Sequence, residues 1–158
     1  MKKNDWKPYV FFIVLAEAVG GLSGWLTRKG VKSYNANVAK PTWTPPSAVF
    51  PIVWVILFAL MGIGAARVYL SRSSLQRSRG LSVFGVQLAV NFFWSILFFN
   101  FQTFGIAFGW LCLLWVLIWW MIATFAKVDR PAAWLQLPYL LWVAFAGVLN
   151  FFVWMMNR

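Results

Sequence analysis

KPTWTPPSAVFPIVW, residues 40–54, packs three of the chain's seven prolines (Pro41, Pro45, Pro46) into six residues around Trp43 and runs straight into continuous apolar sequence. Proline fixes φ and biases the residue before it away from the α region, so this stretch is expected to be extended or turned as far as Pro46. A helix can then begin near Ser47, which suits an N-cap, with Pro51 about one turn inside, where its missing N–H costs little. From there the chain is apolar over 49–69, the length needed to cross a bilayer. The stretch therefore reads as a stiff aromatic entrance to a membrane helix, fixed in angle and poor in free donors.

Composition extends that reading to the whole chain. Its 158 residues are 62% hydrophobic and 20% aromatic, with only three acids, Asp5, Glu17 and Asp129. A soluble domain of this size would carry more charge and clear polar faces; this is an integral membrane protein. The formal charge of +11 does not point to nucleic acid, because the basic residues sit in the gaps between apolar runs. Positive-inside bias and headgroup contact account for that distribution. The single Cys112 rules out an internal disulfide, and with no histidine and so few carboxylates no metal site is expected.

The first apolar run, 9–26, comes after Lys2, Lys3 and Lys7 as a signal peptide would. It is too long for one and lacks an A-x-A-like cleavage site, so a retained helix fits better. Ala16, Gly20 and Gly24 form a small-residue stripe within it that permits close helix contact, with packing inside the bundle preferred over a dimer. Glu17 is the acid placed deep in a span, and it has two readings: a carboxyl hydrogen-bonded to a neighbouring helix, or a ligand or proton site. Residues 27–48, with Arg28, Lys29, Lys32 and Lys40, read as a long ordered lid over one end of the bundle. Further spans are expected at 49–69, 81–101, 105–126 and 132–156, which makes residues 1–158 a single all-α membrane domain of five transmembrane helices. Arg72, Arg77 and Arg79 are assigned to the second connection, and Lys127, Asp129, Arg130 and Pro131 to the fourth. Lysines and arginines on the N-terminal side number nine against five on the other, so the N-terminus is expected in the cytoplasm and the C-terminus outside. No internal repeat is evident, which disfavours a transporter built from two halves.

Polar and aromatic side chains recur on particular helix faces. Gln87, Asn91, Trp94 and Phe98 share one face of the third span; Trp142, Ala146 and Asn150 share one face of the fifth; Phe50, Trp54, Leu57, Phe58 and Met61 have helical spacing in the second. Amides need partners in hydrocarbon, so these faces should look inward. They are either ordinary packing or the lining of a neutral cavity for a flat aromatic ligand, with the lid's basic residues available for peripheral carboxylates. No activated nucleophile or acid–base pair accompanies them.

EAVGGLSGWLT (17–27), KPTWTPPSAVFPIVWVILFALMG (40–62), QLAVNFFWSILFF (87–99) and LPYLLWVAFAGVLNF (137–151) together resemble the TspO/MBR family of tryptophan-rich sensory and translocator proteins, the peripheral-type benzodiazepine receptors, in its bacterial form. The resemblance implies a five-helix bundle, often a homodimer, in a bacterial cell membrane. It also implies binding of porphyrins and, in some members, of sterols or benzodiazepine and isoquinoline compounds beneath the first loop. Position by position, Tyr34 resembles the loop tyrosine above the ligand; Trp43, Pro45 and Pro46 the lid block; and Trp54, Asn91, Trp142 and Ala146 the pocket residues. Phe58, Gln87, Trp94 and Asn150 share the same faces. The sterol motif of animal members needs a tyrosine and a basic residue where this chain has Phe151 and Met155, so cholesterol is not implied; an acid of the fourth span is Trp110 here.

Residues and resemblance together leave three functions open. The first is a receptor, sensor or transporter for a protoporphyrin IX-like tetrapyrrole, metal-free because the chain offers no histidine as axial ligand and needs no cofactor. The second is light-dependent oxidative degradation of that porphyrin, for which the resemblance implicates Trp54 and Trp142. The third is a membrane scaffold whose partner responds to ligand.

Overall fold

A computed structural model describes residues 5–158; Lys2 and Lys3, which contribute to the expected orientation, lie outside the described residues. The described chain is all helical: α1 (Trp6–Asn37), α2 (Val49–Leu70), α3 (Leu75–Ser95) continuing into a π-helical turn (Ile96–Asn100), α4 (Phe104–Ala126), α5 (Arg130–Trp134) and α6 (Leu137–Met156). With α3 and its π turn, and α5 and α6, each taken as one span, five helices are long and apolar enough to cross a membrane.

The first helix does not stop at residue 26. It continues through Arg28, Lys29 and Lys32 to Asn37, so half of the expected lid is helix and the connection is 38–48. No proline interrupts before Pro41, and lysine and arginine are good helix formers whose stems lie along apolar surface. Packing supplies the rest: Tyr34 lies against Phe98 and Phe99 of the π turn at ring separations of 5.2 and 5.3 Å. Gly30 admits the Phe99 carbonyl, which an added Cβ would meet at 2.6 Å.

The other boundaries shift for local reasons. Ser47 does not cap α2; the cap position is Ala48, without a side-chain bond, and the first turn is closed by Val49 N–H on the Pro46 carbonyl at 3.0 Å. Arg77 and Arg79 belong to α3, which starts at Leu75 because Ser74 Oγ accepts from Arg77 N–H at 3.1 Å. The fifth span is interrupted at Leu135 and Gln136, since Pro138 has no N–H to donate. Gln136, fully buried, bridges the break by donating Nε2–H to the carbonyls of Leu60 at 3.2 Å and Ala132 at 3.3 Å.

Close approach of α1 and α2 depends on a glycine outside the small-residue stripe. A Cβ on Gly62 would stand 2.5 Å from the Ile13 Cα, whereas Gly20 is covered by the Phe58 ring and Gly24 meets nothing within 4 Å. Ala16 is fully buried, so the stripe packs inside the bundle over its first two members only. At the N-terminal end Arg67 Nε donates to Asp129 Oδ2 at 2.6 Å, and the same oxygen accepts from Ala132 N–H at 3.1 Å, which caps α5 and ties it to α2.

Polar side chains join α3 to α6. Tyr139 Oη accepts from Asn91 Nδ2 and donates to Gln87 Oε1, both at 2.7 Å. Trp94 Nε1 donates to Asn150 Oδ1 at 3.2 Å, and Asn150 Nδ2 to the Phe104 carbonyl at 2.8 Å. Trp110 Nε1 adds a bond to the Val90 carbonyl at 2.7 Å, holding α4 to α3.

Both the glycine contact and the polar network can be tested by substitution. Gly62→Leu forces α1 off α2 and should destabilise the detergent-solubilised protein by about 1–3 kcal/mol, read as a lower thermal midpoint. Gly109→Ala, where an added Cβ meets nothing within 4 Å, should not lower that midpoint. Tyr139→Phe leaves buried Gln87 Oε1 and Asn91 Nδ2 without their shared partner and should cost about 1–3 kcal/mol in the same assay.

Candidate functional site

The faces of α1, α2, α3 and α6 and the 38–48 connection enclose a cavity of about 700 Å³. That is within the usual range of about 300–1,000 Å³ for small-molecule sites. Three of its walls carry aromatic rings. Phe50, Trp54 and Phe58 come from α2, Trp94 and Phe98 from α3 and its π turn, and Trp142 from α6. Trp94 stacks on Phe98 at 5.1 Å, Trp54 leans on Phe58 at 5.5 Å, and Phe50 meets Trp142 edge-on at 5.6 Å. Each ring is thus held by another, so the apolar faces are set before any ligand arrives.

The connection 38–48 closes one end and is tied down at several points. Lys40 Nζ donates to the carbonyls of Val38 at 2.8 Å and Asn35 at 3.3 Å and sits 4.7 Å from the Tyr34 ring centre, so one cation closes the C-terminus of α1. Asn157, just past α6, accepts Ala39 N–H on Oδ1 at 3.1 Å and donates Nδ2–H to the Ala39 carbonyl at 2.9 Å. Thr44 folds back on the Pro41 carbonyl through its N–H at 3.1 Å and its hydroxyl at 2.7 Å. These bonds make the cover ordered.

Of the residues singled out from sequence, Tyr34, Pro45, Trp54, Phe58, Asn91, Trp94, Trp142, Ala146 and Asn150 line this one cavity. Trp43, Pro46 and Gln87 do not. Trp43 points away, packs on Phe145 and Phe152 of α6 at 6.0 and 5.8 Å and is 45% exposed, so it anchors the lid from outside. Pro46 is exposed and serves through its carbonyl at the start of α2. Gln87 is fully buried one turn from Asn91, spent on Tyr139 and, through Nε2, on Met61 Sδ at 3.5 Å.

Sequence reasoning missed other contributors. Tyr139 orients the Asn91 amide, yet nothing in its spacing distinguishes it from a packing residue. Ser47, expected as a cap, lines the cavity, as do Gly21, Gly24 and Thr27 of α1. The cavity is also less neutral than expected, because Glu17 and Lys40 both line it. Glu17 has a buried Oε1 without a hydrogen-bond partner, which departs from the reading of a carboxyl satisfied by a neighbouring helix. Arg28, Lys29 and Lys32 are exposed on α1 and do not reach the site; Arg28 instead covers Trp25 at 4.3 Å. Among the described residues no cluster of His, Cys, Asp or Glu could hold a metal ion.

Known proteins share the segments that build this cavity. The sequence pattern of the TspO/MBR family matches residues 12–155. The tryptophan-rich protein TspO of Chlorobaculum tepidum is 38% identical over 146 residues, 92% of each chain. Protein CrtK of Rhodobacter capsulatus is 36% identical over 94% of this chain and 91% of its own, and the translocator protein of Bos taurus 34% identical over 97% and 92%. Matched segments run through all four cavity-forming helices and the connection that covers them, so this chain, an integral multi-pass membrane protein, belongs to the TspO/MBR family.

Proposed function

We propose that the protein is a membrane receptor or transporter for a flat, hydrophobic, metal-free tetrapyrrole of the protoporphyrin type, bound in the cavity beneath the 38–48 cover. The observation that carries this reading is the cavity itself. Its ring faces come from three helices, its volume is about 700 Å³, and a single cation, Lys40, stands at the covered end. A planar macrocycle gains ring-on-ring contact with Trp54, Trp94 and Trp142, and a peripheral carboxylate gains Lys40. Relatives named as sensory and translocator proteins agree with a receptor or transport role. The excess of basic residues on the N-terminal side supports a cytoplasmic N-terminus, with the covered end of the cavity outside.

Titration with protoporphyrin should quench the tryptophan emission saturably. Trp142→Phe, which keeps a ring but removes the indole, should weaken binding about three- to tenfold, the scale of one aromatic pairing. No saturable quenching, or unchanged affinity in Trp142→Phe, would sink the proposal. Placement of Trp54 and Trp142 on one cavity favours a second reading, light-dependent oxidation of the bound porphyrin. Illuminating the complex separates the two: turnover to a new chromophore, lost in Trp142→Phe while binding persists, indicates chemistry, and bleaching no faster than that of free porphyrin indicates binding alone.

A further inference from the structure

Two buried polar atoms on the cavity wall have no hydrogen-bond partner: Glu17 Oε1 on α1 and Trp142 Nε1 on α6. The third such atom among the described residues, Gln136 Oε1, lies at the junction of α5 and α6 and does not line the cavity. Five other polar groups on the wall are spent within the protein, and those of Tyr34, Asn35, Ser47 and Ser95 are not among the fully buried atoms left unpaired. Asn91 Nδ2 is on Tyr139, Trp94 Nε1 on Asn150, Asn150 Nδ2 on the Phe104 carbonyl, Ser23 Oγ on the Phe92 carbonyl and Thr27 Oγ1 on the Ser23 carbonyl. A buried polar atom unpaired within the protein is costly, and a cavity can carry one where the ligand supplies the partner.

Access to the Glu17 carboxyl is open. At Gly21, one turn along α1, an added Cβ meets nothing within 4 Å, and the same holds at Gly24. Among the described lining residues no cation stands near it. Lys40, the cavity's cation, is held over the Tyr34 ring, and Tyr34 lies about 25 Å along α1 from Glu17 at 1.5 Å rise per residue. An acid with no internal partner beside open apolar space favours a ligand edge that carries a donor.

We propose that Glu17 is the specificity-determining residue of this cavity. It selects flat aromatic ligands that present an N–H or a protonated nitrogen toward α1, while the Trp142 indole N–H takes an acceptor on another edge. This rests on the reading that the cavity binds a flat aromatic molecule and adds the edge chemistry the cavity prefers. A hydrocarbon ring of the same outline fills the same space but leaves Oε1, the buried oxygen of the partly exposed Glu17, without a partner, and such an unpaired atom discriminates between isosteres.

The test uses two probes of one outline, 9-aminoacridine, whose ring nitrogen is protonated at neutral pH, and 9-methylanthracene, which carries no nitrogen. Fluorescence titrations are made on the full chain in zwitterionic lipid nanodiscs, with partition into empty discs subtracted. The native protein should prefer 9-aminoacridine by about tenfold or more, the scale of a hydrogen bond to a charged group. Glu17→Gln, which keeps the side-chain shape, should remove most of that preference, weakening 9-aminoacridine while 9-methylanthracene binds at least as tightly as before. Trp142→Phe should weaken both probes and keep their ratio. A native ratio near one, or a ratio that survives Glu17→Gln, overturns selection by Glu17, and the native ratio does not depend on any variant folding. Failure of both probes and of protoporphyrin to bind overturns the ligand reading itself, and the selection with it.

Discussion

Hydrocarbon offers no water to pair with a polar group, and the bundle is arranged around that constraint. Gln87, Asn91 and Tyr139 satisfy one another across α3 and α6, and Trp94 and Asn150 extend the network to the Phe104 carbonyl at the start of α4. These bonds fix the register of three helices. They also decide what the cavity shows: because the amides are committed to Tyr139, Trp94 and the Phe104 carbonyl, the wall they build is left with ring faces to present.

Glycine placement completes the enclosure. Gly62 lets the Ile13 backbone approach α2, and Gly20 accepts the Phe58 ring, so α1 and α2 are joined along one part of their length. Farther along the same helix, Gly21 and Gly24 face open space at the cavity. A helix can therefore serve as both packing partner and cavity wall when its small residues alternate between covered and uncovered positions.

Order in the 38–48 connection comes from its tethers more than from its prolines. Lys40 binds it to α1, while Asn157 and the Trp43 contacts with Phe145 and Phe152 bind it to α6. Both flanking helices enclose the cavity, so the position of the cover is coupled to the spacing of the walls beneath it.

The membrane class and the five spans were legible from the residues alone, as was the convergence on one cavity of Trp54 and Phe58, Asn91 and Trp94, and Trp142 and Asn150. Those features depend on local quantities: apolar length, helical spacing, and prolines that fix φ where they stand. Tertiary structure decided that α1 runs on to Asn37, because the rings of the π turn and the Gly30 contact support a segment whose basic composition reads as loop. It decided that Tyr139 orients Asn91, that Trp43 faces outward, and that Glu17 lines the cavity without a partner. Each of those outcomes depends on how one helix crosses another, which is set by backbone contacts such as Gly62 with Ile13 between residues far apart in the chain. Spacing along a single helix carries no record of such a contact.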